Sequence, residues 1–555
     1  MSTTVESEKP SVITVPTNAL VPNSRSRNFE YDREQANSIT LQTMEAESSE
    51  EDYPTGLAFY MVIVSLALAY ILSGFDNTIV ATAVPAITDH FHTDADVGWY
   101  SAAYRLSLCA FQFIFGKLYK LFSPKYTFIL SIACNMIGSL LCATAAGSAM
   151  FIVGRAIAGL GAAGITAGCF NIVVRLSPLR RRSAIIAALS AVESASEMTA
   201  PIIGGVLTQH LSWQWCFFIS LPMGGATLAI VTLALRDPPH RIDVDIPWQQ
   251  KLWQLDLLGN LIFLPSVTSL FVGLSGAGTK YTWTSPLVVS LLVAFVVLLA
   301  LFIWQQVRMG DSATLPLRIL RQRTVLYSSL FAICNSGSLQ VFQYYLPTYY
   351  QSVRQYTPSK SGYLMLAPTA GFLIGMLAQG FGTSIVGFYT PFMLICSVLG
   401  PAAAGWATTW QCSTPFADLI GSTLFSGFAY GIGYQGPQVA VQTTLSLVDT
   451  PVGLAIILFT QHFGAALFVT IGQTIFTNRL EINLRYLTPN LKTAKIKNLG
   501  LKQLTTYLGP DRLQEVLAAF NTSLVEMWYL PVALMCISLI GVLGMEWRSV
   551  KMKQT

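Results

Sequence analysis

From Gly56 almost to the C-terminus, apolar stretches alternate with short polar loops, and each stretch approaches the ~20 residues that a helix needs to cross a bilayer core. Their centres fall near Leu66, Cys109, Met136, Leu160, Ala195, Met223, Leu264, Val293, Cys334, Gly371, Ser397, Phe425, Phe463 and Met535, which predicts fourteen transmembrane helices. The first stretch extends through Phe75 to Pro85, and the seventh and tenth are interrupted by Pro265 and Pro368. A backbone in lipid must satisfy its own hydrogen bonds, so the expected fold class is an all-α membrane protein. Composition agrees, because 53% hydrophobic and 11% charged residues leave more apolar surface than soluble cores can hide.

The same residues exclude several kinds of function. A net charge of +5 is small for 555 residues, and no basic patch is interleaved with aromatics, so nucleic acid is not an expected partner. Of the nine cysteines only Cys412 falls in a loop, none forms a CxxC, and the five histidines lack zinc spacing. No metal or cofactor is expected. No nucleophile and base pair, phosphate loop or soluble catalytic domain appears, which argues against an enzyme.

Residues 1–55 are rich in Ser, Thr, Glu and Pro and read as a disordered cytosolic tail. Basic residues orient the spans. Loops on one side carry Lys117, Lys120, Lys125, Arg175, Arg180, Arg181 and Arg182, with more near Arg318 and in the C-terminal tail. Short loops on the other side hold only Lys280, Arg354 and Lys360, so both termini are expected in the cytosol and residues 478–527 outside. Within that outer segment, Leu513, Val516, Leu517 and Phe520 have amphipathic spacing and predict a helix lying on the membrane or over the last spans. Asn521-Thr522-Ser523 is a glycosylation sequon on the outer side, a few residues before the last span.

Charge inside apolar stretches marks candidate working residues. Between Met150 and Gly205 a helix with Gly154-Arg155 is followed by a basic turn, then by a helix with Glu193 and Glu197 that leaves through Pro201 to Gly205. A charge at mid-bilayer costs about 2.5–3.5 kcal/mol on insertion scales, so each needs a partner or a task. At about 1.5 Å per residue from the estimated outer ends, Asp76 lies roughly 13 Å deep, Arg105 roughly 12 Å, Glu197 roughly 16 Å and Arg155 roughly 8 Å. Two acids and two bases are thus expected in one layer, with Glu193 a turn further in on the face of Glu197. Such a layer serves either as static ion pairs closing the bundle or as proton- and substrate-handling groups. His462 joins the candidates because histidine ordinarily titrates near pH ~6.5, although a lone buried histidine also serves as a packing residue.

Several passages now meet a family pattern. Phe75 to Pro85, Gly116-Lys117-Leu118-Tyr119 with Ser123-Pro124-Lys125, Gly154-Arg155 with Gly159, Gly161 and Gly164, and Ala200-Pro201-Ile202-Ile203-Gly204-Gly205 occur in one order. Trp213 to Phe218, Tyr344 to Pro347, Gly433-Tyr434-Gln435 and Gly464 to Leu467 continue it. Over residues 56–548 the chain resembles the major facilitator superfamily, specifically the fourteen-helix drug:proton antiporters of fungi that export toxins and secondary metabolites. Where that family has glycines in the fifth helix, this chain has Ser190, Ser194 and Ala200, and Glu193 and Glu197 stand where it has small or neutral residues. Arg105, Gln214 and His462 are likewise departures, which suggests a substrate particular to this protein.

The resemblance implies a major facilitator fold: residues 56–236 as an N-terminal six-helix bundle, 237–307 as a linker with two inserted helices, and 308–477 with 528–547 as the C-terminal bundle. Residues 548–555 would be a cytosolic tail. It also implies proton-driven efflux of an amphipathic small molecule, without a cofactor, by a monomer in the plasma membrane or the vacuolar membrane. Asp76, Arg105, Arg155, Glu193, Glu197 and His462 are then the proton-coupling and substrate candidates, with Asp76 ranked first for coupling. Gly116, Lys117, Lys125, Pro201, Gly204 and Gly205 are the conformational ones. Gly116 to Lys125 resembles the cytoplasmic gating motif, but its usual acid is missing near Tyr119 and Lys120; the equivalent loop around Gly382 to Tyr389 has no basic residue, so a gate there must rest on packing. A carrier of basic amino acids or siderophore-like cargo has the same architecture, and a non-transporting membrane receptor is the alternative of another class.

Overall fold

The computed structural model describes residues 56–91, 97–235, 254–277, 281–484 and 513–551. The tail expected over residues 1–55 lies outside them. The first half contains α1 (Leu57–Thr78), α2 (Val80–Phe91), α3 (Val97–Leu121), α4 (Pro124–Ala143), α5 (Ser148–Leu176), α6 (Leu179–His210), the short α7 (Trp215–Phe218) and α8 (Ser220–Ala234). Two helices follow, α9 (Leu257–Gly276) and α10 (Pro286–Met309), then the one-turn α11 (Leu317–Leu320). The second half contains α12 (Arg323–Thr348), α13 (Pro358–Leu364), α14 (Leu366–Val386), α15 (Thr390–Ala407), α16 (Phe416–Gly431), α17 (Gly436–Thr444), α18 (Thr450–Leu484) and α19 (Leu513–Gly544).

Among the described residues, eleven helices are long and apolar enough to cross a membrane. The helices α3 and α6 have the length but carry charges, Arg105, Lys117 and Lys120 on one and Glu193 and Glu197 with basic residues on the other. The 16-residue α16 is continued by α17 after a break at Ile432–Gln435. Proline stands in the first turn of α4, α10 and α15, where its missing amide hydrogen costs nothing. Pro265 lies inside α9 as expected, but Pro368 is the third residue of α14 and marks a beginning there, not an interruption.

In the first half α5 packs between α3 and α4, and α1 lies between α6 and α8. In the second, α12 is flanked by α18 and α19, and α14 by α16. The halves meet where α3 packs on α18 and α6 on α14, with α9 laid against both α3 and α18. Phe113 of α3, Phe263 of α9 and Phe459 of α18 form one aromatic cluster there, with ring centroids 4.6–5.4 Å apart.

The outer segment differs from expectation. The helix α18 runs on to Leu484 and α19 begins at Leu513, so the amphipathic stretch is the first two turns of a continuous span; residues 485–512 lie outside the described set. Val516, Ala519 and Phe520 are buried in the second half's core, which is why this stretch does not lie flat on a membrane surface.

Candidate transport site

Near the C-terminal end of α1, successive residues point about 100° apart and so meet different neighbours. Asp76 faces α4 and α8. Its carboxylate is fully buried and accepts hydrogen bonds from Asn135 Nδ2 (2.9 Å), Ser139 Oγ (3.1 Å) and Ser220 Oγ (2.9 Å). Arg155 of α5 is equally buried; it donates to the backbone oxygens of Asp76 (2.8 Å) and Tyr100 (3.0 Å) and lies 4.4 Å above the Tyr104 ring. The guanidinium therefore acts on the Asp76 carboxylate through space.

Asn77, the next residue, faces α6. Its Nδ2 donates to Glu197 Oε1 at 2.6 Å, and Thr78 Oγ1 donates to the Glu197 backbone oxygen at 2.7 Å. Gly74 makes this approach possible, since a Cβ there would lie 2.8 Å from the Glu193 backbone oxygen. Glu193 and Glu197 are half-buried, and no hydrogen-bond or ion-pair partner of the Glu193 carboxylate occurs among the described residues. Arg105 is exposed; its charge reaches Glu197 in its own half and His462 of α18 in the other. His462 is half-buried, with its Nε2 unpartnered. The expected layer of charges thus separates into two groups: Asp76 with Arg155 in a sealed network, and the half-buried Glu193, Glu197 and His462 with the exposed Arg105 outside it.

The basic loops gather at one end of the molecule, where the halves are tightly apposed. A Cβ on Gly116 would lie 2.5 Å from the Ala455 Cβ of α18, and one on Gly380 of α14 would lie 2.9 Å from the Ser183 oxygen of α6. Lys120 pairs with Asp449, just ahead of α18, at 2.8 Å, and Arg318 of α11 binds the other Asp449 oxygen at 2.8 Å. The acid missing from the first-half loop is thus supplied by the second half. Lys117 is buried and donates to the Ser312 oxygen at 3.3 Å. Lys125 stays within its own half, donating to the Thr232 oxygen near the end of α8 at 2.7 Å. Around Gly382 to Tyr389 packing is joined by Arg180 Nε, which donates to the Ser384 oxygen at 3.3 Å.

Pro201, Gly204 and Gly205 behave differently from one another. Pro201 lies inside α6 without ending it. Gly204 packs against Ile79 and Thr82, in the same half, and a Cβ on Gly205 would meet nothing within 4 Å. In this conformation neither glycine is packed on the second half. Asn521 sits in α19 with its Nδ2 donating to the Trp410 oxygen at 3.0 Å, so the atom a glycan would need is engaged inside a helix and the residue reads as structural.

Two helical half-bundles that meet along α3 and α18 and along α6 and α14, with partly exposed charged groups on α3, α6 and α18, define a polytopic carrier of the secondary-transporter class. The sequence matches the Major Facilitator Superfamily over residues 66–469, and the chain belongs to that superfamily. It is 37% identical over 530 residues to the MFS-type efflux pump MFS1 of Arthroderma benhamiae, covering 95% of this chain and 98% of that one. It is 36% identical over 503 residues to the efflux pump aflT of Aspergillus parasiticus, covering 90% and 97%. Among solved structures, the human organic anion transporter MFSD10 superposes with a TM-score of 0.54 at 12% identity, covering 87% of this chain and 100% of that one. FucP in the outward conformation superposes with a TM-score of 0.53 at 14% identity, covering 87% and 98%. The chain is therefore a multi-pass transporter of the efflux-pump type, not an enzyme.

Proposed function

We propose that the chain is a proton-coupled pump that exports an amphipathic small molecule across the plasma membrane by alternating access, through fourteen crossings. The observation that carries this reading is the accessible group Glu193, Glu197, Arg105 and His462, shared between halves that are clamped together at their basic end. With basic loops on the cytosolic side, the clamp is the cytosolic gate and the charged group opens outward. The count of fourteen is supported by α3, α6 and the broken α16–α17, each packed against two or more of the eleven apolar spans.

In this reading Glu193 and Glu197 attract a cationic or hydroxyl-rich cargo and Asp76 couples it to protons. A carboxylate changes its proton affinity as a guanidinium approaches or leaves, so movement of α1 against Arg155 supplies the cycle that a static pair lacks. Accessibility favours a second reading, in which Glu193 itself carries the proton, because its carboxylate is unpartnered while that of Asp76 holds three donors.

Reconstitution into proteoliposomes with an imposed pH gradient separates the readings. Asp76→Asn should abolish pH-driven accumulation of a lipophilic probe such as ethidium, and Glu193→Gln/Glu197→Gln should weaken its binding by about tenfold or more. If Asp76→Asn still accumulates the probe against its gradient, coupling passes to the glutamates; if the wild-type protein moves no probe when the gradient is applied, the pump reading is wrong.

A further inference from the structure

Asp256, the residue immediately ahead of α9, is buried, and no cation is bonded to it among the described residues. It caps α9 in a left-handed conformation (φ 46, ψ 53), accepting the Gly259 amide at Oδ1 at 2.9 Å. Its Oδ2 accepts Gln306 Nε2 of α10 (2.6 Å), the Thr314 amide (3.2 Å) and Thr314 Oγ1 (3.0 Å). Gln306 Oε1 in turn accepts the Leu315 amide at 2.8 Å. A buried carboxylate is tolerable only when such donors surround it, so the segment Gly310–Leu315 is bound to the inserted helices at two successive residues.

That segment reaches the gate by two routes. Its Ser312 oxygen receives Lys117 from α3, and just beyond it α11 carries Arg318 onto the Asp449 that also binds Lys120. When the halves part, Lys120 must leave Asp449, whereas Arg318, which leads directly into α12, stays with it and keeps the carboxylate partnered.

We propose that Asp256 is a positioning residue of the cytosolic gate: by fixing Gly310–Leu315 as a strap between the inserted helices and the seam, it makes α9 and α10 part of the closing machinery. The inference rests on the reading of the basic end as a gate. The strap presents the Ser312 oxygen to Lys117 at a fixed height and sets where α11 begins. Without it Lys117 loses the Ser312 oxygen, and α11 loses the fixed start that aims Arg318 at Asp449. Here the inserted pair does more than occupy lipid beside the bundles.

The test uses the full-length protein in proteoliposomes, in a Cys412→Ser background, with Ser183→Cys reporting on the seam and His462→Cys on the outward surface. Asp256→Asn should speed thiol labelling of Ser183→Cys from the basic side by about tenfold and slow labelling of His462→Cys from the opposite side, because opening one side closes the other. A merely loosened fold would speed both. Lys117→Gln should reproduce the effect, and combining it with Asp256→Asn should add little. Thr314→Val, which removes one donor and keeps the packing, gives a milder shift of the same sign and covers a failure of Asp256→Asn to fold. If Asp449→Asn exposes Ser183→Cys while neither Asp256→Asn nor Thr314→Val does, the strap has no part in the gate; if Asp449→Asn also leaves it protected, the gate reading itself fails.

Discussion

Asp449→Asn is the sharpest perturbation of the clamp. The Lys120 and Asp449 side chains are only 20% and 10% exposed, so their 2.8 Å contact is shielded from much of the screening that weakens surface pairs. A hydrogen bond to a charged group contributes ~1.5–3 kcal/mol. The Arg318 contact adds little to the comparison, since its side chain is 59% exposed and it joins parts of one half. Losing the Lys120 pair should therefore shift the equilibrium between clamped and open states by about 10- to 100-fold. Labelling of Ser183→Cys from the basic side reads that shift, and Lys120→Gln should match it. The pH dependence has a definite sign. Burial alone would raise the Asp449 pKa, but hydrogen bonds from Lys120 and Arg318 outweigh it and hold the carboxyl below its ordinary value. A carboxylate depressed in this way stabilises the clamped state fully above its ordinary pKa of ~3.9 and loses that effect as pH falls through the depressed value. Protection should be flat from about pH 5 to 7 and fail on the acid side only below about pH 4. An unchanged labelling rate in Asp449→Asn, or protection lost near neutral pH in the wild type, would refute the reasoning.

Two glycines should part company. Gly116→Leu cannot fit between α3 and α18 without separating them, so export should fall by about tenfold or more with Ser183→Cys exposed. Gly205→Leu meets open space in this conformation, so it should leave Ser183→Cys protected and lower export only by obstructing the opposite closure. For the topology, Thr505→Cys in the Cys412→Ser background should react with an impermeant thiol reagent on intact cells; reaction only after permeabilisation would reverse the orientation.

The apolar periodicity carried the helical architecture, and the position of each charged residue in a span was legible from counting alone. What the count does not hold is the azimuth. Asp76 and Asn77 are neighbours in sequence and lie at one depth, yet one faces a sealed polar pocket and the other an accessible acid. Depth arithmetic merges them. Asp449 and Asp256 were hidden for a related reason: each sits immediately before a helix, where an acid is the ordinary capping choice, and only packing across the seam or against the inserted pair gives it a further role. The missing acid beside Lys120 was a signal that a carboxylate should be sought in the other half, and the Asp449-Thr450-Pro451 helix start was the place to look.

The departures in α6 carry an argument about specificity. Two carboxylates one turn apart repel, and both are partly withdrawn from water, so a chain that acquired them needed compensation nearby. The last turn of α1 provides it for one acid only. Gly74 lets the helices touch, Thr78 ties the backbone at Glu197, and Asn77 holds its carboxylate at 2.6 Å while Arg105 supplies an opposite charge. Glu193 receives no such support from the described residues. In the reading proposed above, a cationic group or a proton arriving from outside the fold supplies the partner that Glu193 lacks among the described residues.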